Sequence, residues 1–156
     1  MSTVLDTTRT QAFAEQALGI VNGGFLSLML SVGHRTGLLD TLATLEPATS
    51  DRIAGAAGLN ERYVREWLGA MVTGRIMEYD PATRTYWLPR EHAASLTRAA
   101  GPDNLAELEQ IVGMLGQVES AIVDVFRKGG GVDYRAFERF HALMAESSHT
   151  TLEATL

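Results

Sequence analysis

Five side chains near the C-terminal end of the sequence are of types that can bind one organic ligand together. Phe140, Met144 and Ser148 follow one another at intervals of four residues, with Phe137 and His141 beside them. Because a helix repeats its faces every 3.6 residues, this spacing keeps the three near one face, where a ring, a thioether and a hydroxyl can contact a single ligand. The alternative is that Phe137, Phe140 and Met144 pack in a core, and the residues alone favour packing. His141, taken alone, is also more typical of a packing residue than of a base.

The sequence indicates no metal site. Cysteine is absent, which removes thiolate ligands and disulfides and agrees with a reducing, cytoplasmic location. His141 and His149 share the last predicted helix but lie two turns apart, about 12 Å, which is too far to chelate one ion. The glycines at 129–131 lack the following residues of a phosphate-binding loop and predict a flexible connection. We therefore expect no metal.

Residues 49–96 have the pattern of a winged helix-turn-helix. Thr49 or Ser50 caps a short helix over residues 51–57, Gly58 makes the turn, and Asn60 caps a second helix over residues 61–73. Short β-prone runs at 77–79 and 85–88, joined by a turn that begins at Asp80, predict the hairpin that forms the wing.

The charge of the chain argues against binding to nucleic acid. The net charge is −6, and it divides into −2 for residues 1–48 (two basic, four acidic), +1 for residues 49–98 (seven basic, six acidic) and −5 for residues 99–156 (four basic, nine acidic). A winged helix that reads duplex DNA needs a surplus of Lys and Arg, since phosphate contacts supply most of the affinity. On the second helix, Arg62 and Glu66 instead have the spacing of an ion pair. Arg62, Arg65, Arg75 and Arg84 keep a DNA-binding regulator with a small effector as the second hypothesis.

A long apolar helix precedes the winged helix. Residues 10–36 have a helical pattern, and residues 17–32 are apolar on every face, so this part of the helix must be buried all round. In a chain of 156 residues this predicts burial against a second copy of the chain. The interface residues would be Leu18, Val21, Phe25, Leu28, Met29 and Val32. The alternative is a central core helix, in which Gly23 and Gly24 break the helix or admit a close neighbour. The polar residues within the run argue against a membrane span or a secretory signal.

The remaining elements are helical, which gives a mostly α fold: a winged helix-turn-helix with a small β-hairpin wing, flanked by long N- and C-terminal helices. The further predicted helices cover residues 38–45, 92–97, 103 or 104 to 128, and 134 or 135 to the end.

Several runs of the sequence resemble one family. The runs GLLDTLA at 37–43, TSDRIAGAAGLNERYVREWLGAMVTGRI at 49–76, MEYD at 77–80 and TYWLPREHAASL at 85–96 resemble the N-terminal winged-helix dimerisation domain of S-adenosylmethionine-dependent small-molecule O-methyltransferases. The resemblance implies that the winged helix dimerises and, with later helices, encloses a small aromatic or apolar substrate. That family also has Phe, Met and Ser at the spacing found here, facing substrate and methyl donor. It thus implies a pocket role for Phe137, Phe140, His141, Met144 and Ser148.

The resemblance also divides the chain and assigns the cofactor. It implies dimerisation helices at 1–48, the winged helix-turn-helix at 49–98 and a helical substrate lid and connector at 99–156, leading to a Rossmann-like domain that the chain lacks. In the family that domain binds S-adenosylmethionine and carries the catalytic base where one is used. We therefore expect S-adenosylmethionine to bind the full-length parent and not this chain alone, which would be inactive and have no catalytic residue. The expected partners are a second copy and a small-molecule substrate, with no nucleic acid and no membrane.

Overall fold

Helices form most of the chain. The computed structural model describes residues 5–153, except the side chains of residue 147 and residues 149–153. The helices are α1 (Thr7–Arg35), α2 (Leu38–Thr44), α3 (Ser50–Ala57), α4 (Glu61–Thr73), α5 (Arg90–Leu96), α6 (Leu105–Leu108), α7 (Gln110–Gln117), α8 (Glu119–Lys128) and α9 (Phe140–Glu153). Strands β1 (Glu78–Asp80) and β2 (Thr85–Trp87) form a hairpin, and Arg98–Asp103 and Tyr134–Ala136 are 3-10 segments. The predicted fold class is confirmed. The division into three segments stays a prediction.

The first helix is continuous. Asp6 caps its start by accepting a hydrogen bond from the Arg9 amide at 3.1 Å, and Gly37 follows its end in the left-handed conformation. The helix runs through Gly23 and Gly24 without interruption, so the break considered at these glycines does not occur. Burial of residues 17–32 on every side is not found within one copy. Only the C-terminal part of α1 is packed on the rest of the protein.

By length and composition alone, α1 is also apolar enough to cross a membrane. Of its most apolar window of 18 residues, 17% is buried. A helix that packs against another subunit has the same length and composition, so this property does not distinguish the two. The absence of a membrane partner stays a prediction.

The core lies where α1 and α2 meet the helix-turn-helix pair, α3 and α4. Leu39, Ile53, Leu68 and Met71 are fully buried there. The indole of Trp67 donates a hydrogen bond to the carbonyl of Met29 at 2.8 Å, which ties α4 to α1. The amphipathic pattern of α4 thus places its apolar face on the long helix.

The hairpin forms the wing at the predicted place. Its strands are antiparallel and pair Glu78 with Trp87, Tyr79 with Tyr86 and Asp80 with Thr85. The carboxylate of Asp80 accepts hydrogen bonds from the Ala82 amide at 2.9 Å and the Thr83 hydroxyl at 2.8 Å, which closes the turn.

Of the three helical predictions after the wing, the last two were wrong in extent. Instead of one helix over 103–128, the chain turns at Glu109 and at Val118 and forms α6, α7 and α8. The short helices α6 and α7 each pack on α1, and Ala106 and Met114 on them are buried. The last helix begins at Phe140 and not at 134 or 135, because Asp133 caps a separate 3-10 turn by accepting from the Arg135 amide at 2.8 Å. Its predicted extension over 154–156 lies outside the described residues.

Candidate ligand-binding site

An apolar cavity lies between α7 and the segment that leads into α9. Its volume is about 340 Å³, which is in the range of small-molecule sites. Eight side chains line it, three from α7 and five from the C-terminal segment: Ile111, Met114, Leu115, Tyr134, Phe137, Phe140, Leu143 and Met144. All of them are apolar apart from the hydroxyl of Tyr134, so the cavity fits an aromatic or aliphatic group.

Local structure before α9 places the aromatic side chains of the cavity. The 3-10 turn capped by Asp133 folds Tyr134 back onto the first turn of α9. The rings of Tyr134 and Phe140 then meet edge to face, with centroids 5.1 Å apart and planes at 73°. This is a favourable arrangement for two aromatic rings, and it fixes one wall of the cavity.

The structure brings three of the five predicted pocket residues together. Phe137, Phe140 and Met144 line the cavity. His141 is exposed, and its ring lies against the edge of Tyr134 with centroids 5.3 Å apart. Ser148 is exposed on the next turn of α9 and does not line this cavity. Contact of these five residues with a ligand stays a prediction.

A network of polar side chains lies beside the cavity and ties α9 to the rest of the protein. His34, at the end of α1, is 1% exposed and has its Nε2 atom 2.8 Å from Oε1 of Glu146. The amide of Gln110 on α7 donates to Oε2 of Glu146 at 3.1 Å. The oxygen of the same amide accepts a hydrogen bond from Arg139 at 2.7 Å. Three separate elements therefore meet at Glu146 and Gln110.

The imidazole of His34 lies between two polar side chains. The side-chain amide of Asn104 lies 3.4 Å from Nδ1. On the other side of the ring, Nε2 donates to the carboxylate of Glu146, which can only accept when it is ionised. Arg98 donates to the backbone carbonyl of His34 at 2.9 Å and also pairs with Asp40. The imidazole is thus held on both sides.

Two opposing effects act on the carboxyl of Glu146. Burial raises its pKa, whereas the hydrogen bonds from His34 and Gln110 and the positive charges nearby lower it. The lowering effects are the larger, and the pKa of Glu146 lies below its ordinary value. Glu146 is therefore ionised at neutral pH and accepts both hydrogen bonds as a carboxylate.

Sequence reasoning missed this network. His34 and Glu146 are 112 residues apart, and no motif joins them. The available signal was the position of His34 at the end of an otherwise apolar helix, where a polar side chain that becomes buried needs a partner. Within the described residues, no group of three or more His, Asp or Glu side chains is arranged to hold a metal ion.

Five of the six predicted interface residues form an exposed apolar face on α1. They are Leu18, Val21, Phe25, Leu28 and Val32, with Leu18 60% and Phe25 64% exposed. The sixth, Met29, packs against the core. The side chain of Leu28 also lies near Gly113 of α7, so the face reaches the helix that lines the cavity. Its contact with a second copy stays a prediction.

The outer surface of α4 has its arginines paired with acids. Arg62 lies 3.3 Å from Glu66, and Arg65 lies 3.7 Å from Glu61. Each pair is one helical turn apart, as predicted for the first. These arginines are therefore compensated on the helix that would enter a DNA groove.

Comparison with known proteins identifies the central unit. Residues 24–98 match the Rv2258c-like winged HTH domain. The match covers part of α1 together with α2, the helix-turn-helix pair, the wing and α5. No curated protein sequence matches the chain.

Several solved structures share the fold of this chain. The mitomycin 7-O-methyltransferase MmcR superposes with a TM-score of 0.69 at 17% identity, over 93% of this chain and 46% of that one. Human N-acetylserotonin methyltransferase, in complex with SAM, has a TM-score of 0.62 at 15% identity, over 99% and 47%. The calicheamicin-biosynthesis methyltransferase CalO1, in its SAH-bound form, has a TM-score of 0.62 at 17% identity, over 97% and 47%.

At identities of 15–17%, these superpositions show a shared fold. This chain spans less than half the length of the three methyltransferases. The resemblance noted in the sequence is confirmed at the level of the fold: the chain has the winged-helix fold that is also found in these methyltransferases.

Proposed function

We propose that this chain is the N-terminal dimerisation and substrate-pocket region of an S-adenosylmethionine-dependent methyltransferase that acts on a small aromatic or apolar molecule. The observation that carries the proposal is the apolar cavity between α7 and α9. Phe137, Phe140 and Met144, at the spacing noted in the sequence, form much of its wall. In this proposal the cavity binds the molecule that accepts the methyl group.

The cavity does not fit the methyl donor. S-adenosylmethionine carries ribose hydroxyls, an amino-carboxylate and a sulfonium, all of which need polar or charged partners when they are buried. The only polar atom that a lining side chain contributes is the Tyr134 hydroxyl. We therefore assign the cavity to the acceptor.

Binding of small aromatic compounds to the purified chain tests this assignment. We expect uncharged one- and two-ring phenols to bind, measured by isothermal titration calorimetry, and charged analogues to bind more weakly. Leu115→Trp adds a large side chain to the cavity wall and should abolish binding. Leu108→Trp is the matched control, since Leu108 is similarly exposed on α6 but does not line the cavity. Equal binding by both variants would contradict the proposal.

We also propose that the exposed apolar face of α1 is covered by a second copy of the chain. A contiguous apolar face of this kind is uncommon on a monomer and typical of a subunit interface. Phe25→Glu places a charge in the middle of the face and should convert a dimer to a monomer in sedimentation velocity. Phe126→Glu puts the same charge on an exposed ring of α8 and should leave the dimer intact. A monomeric unmodified chain at micromolar concentration would refute this part.

The alternative hypothesis, a DNA-binding regulator, predicts that the chain binds duplex DNA. Such a protein would retard random duplex DNA in a gel, with an affinity that falls steeply as salt rises. We expect no retardation even at low salt, because Arg62 and Arg65 are paired with acids on α4.

A further inference from the structure

Glu146 is next to the cavity wall without being part of it. It follows Met144 by two residues on α9, and its partner Gln110 directly precedes Ile111 on α7. We propose that Glu146, held by His34 and Gln110, is a positioning residue that fixes α9 and so sets the width of the apolar cavity. The proposal rests on the proposed function, in that the cavity is the acceptor site.

The Gln110 amide connects the two walls of the cavity. Gln110 is 2% exposed and belongs to α7. It accepts from Arg139 and donates to Glu146, which are seven residues, or about two helical turns, apart. The lining residues Phe140, Leu143 and Met144 lie between these two positions. One buried amide thus holds the wall-forming stretch of α9 at both of its ends.

His34 connects the same wall to α1. Its imidazole is almost fully buried, so water has little access to the His34 side of the hydrogen bond with Glu146. Removing the Glu146 carboxylate leaves the Nε2 atom of His34 buried without its partner, which is more costly than losing a hydrogen bond at the surface. Movement of α9 away from α1 and α7 therefore requires that the hydrogen bonds of Glu146 with His34 and with Gln110 break.

The contacts of Glu146 depend on its ionisation. Because its pKa is lowered in the folded protein, the stabilisation is present above the ordinary glutamate pKa and is lost as pH falls through the folded value. Among the described residues, two charged or titratable groups lie within 4 Å of the Glu146 carboxylate, His34 on α1 and Arg98 on the 3-10 segment. Asp40 on α2 pairs with Arg98, and Arg139 before α9 donates to Gln110.

The test uses two measurements on the full chain: hydrogen exchange of the α9 amides, and the dissociation constant of 2-naphthol as an uncharged aromatic probe. For His34→Leu we expect exchange protection of α9 and probe affinity each to fall by roughly 5- to 100-fold. His34→Gln keeps a side-chain N–H donor and should restore most of both. Glu138→Gln changes an exposed carboxylate just before α9 and should alter neither.

The pH dependence of probe affinity tests the role of the Glu146 charge. A purely structural role for α9 would not change this dependence. Probe affinity of the unmodified chain should fall as pH decreases below about 4.5, whereas the profile of Glu146→Gln should be flat. Glu146→Gln changes a half-exposed side chain and is therefore expected to fold even where His34→Leu does not.

The outcomes separate this proposal from the function on which it rests. Unchanged α9 exchange in both His34→Leu and Glu146→Gln overturns the role of Glu146, as does changed exchange with unchanged probe affinity. Absence of probe binding to the unmodified chain instead overturns the proposed function. The hydrogen exchange of α9 then still decides whether Glu146 holds the helix.

Discussion

The close crossing of α1 and α4 at Gly33 predicts a large difference between two similar substitutions. A Cβ atom on Gly33 would lie 2.6 Å from Cζ2 of Trp67 and 3.1 Å from Cγ of Leu39. Both neighbours are buried, so neither can move freely aside. Gly69, on α4 itself, has no atom within 4 Å of the same position. Gly33→Ala therefore overpacks a core contact, while Gly69→Ala adds a methyl group in open space.

The comparison isolates the packing contribution to the free energy of unfolding. Both substitutions replace glycine with alanine inside a helix, which raises the free energy of unfolding by a similar amount, about 0.5–1 kcal/mol. This gain cancels when the two variants are compared. Overpacking a core costs about 1–3 kcal/mol. We expect Gly33→Ala to be less stable than Gly69→Ala by about that amount in urea unfolding followed by circular dichroism. Equal stability of the two variants would refute contact between the helices at Gly33.

Two further substitutions test how α4 is held. Trp67→Phe removes the indole N–H that binds the Met29 carbonyl and should lower the free energy of unfolding by about 1 kcal/mol or more. An unchanged urea midpoint would show that this hydrogen bond contributes nothing. Asn60→Ala removes the cap that accepts from the Arg62 amide at 3.1 Å and should cost about 1 kcal/mol, whereas Asn60→Asp should keep most of the stability. Equal melting temperatures of Asn60→Asp and Asn60→Ala would show that the cap is not formed in solution.

The parts of the fold that the sequence predicts best are specified by residues close together in the chain. The start of α4 follows from Asn60, and the wing follows from a turn residue between two β-prone runs, because caps and turns are local interactions. The apolar stretch of α1 was equally visible, but its pattern does not say whether the chain itself or another molecule covers it.

The features that the sequence does not predict depend on distant contacts. At the turn between α6 and α7, the Glu109 carboxylate accepts a hydrogen bond from Ser27 of α1, 82 residues away. In the candidate site, the spacing of Phe140 and Met144 indicated one face of a helix, and the structure adds the opposite wall from α7. The pairing of His34 with Glu146 had no local signal, since two helices at opposite ends of the chain supply the partners.

That pairing also has a consequence for the order in which the protein is made. At about 5–20 residues per second, the ribosome adds the 112 residues between His34 and Glu146 in roughly 5 to 20 s. Within that interval the winged helix and then Asn104 are synthesised, whereas the Glu146 partner of His34 is not yet present. The end of α1 is therefore among the last parts of the fold to lose contact with water, and the cavity wall is completed only when α9 has been synthesised.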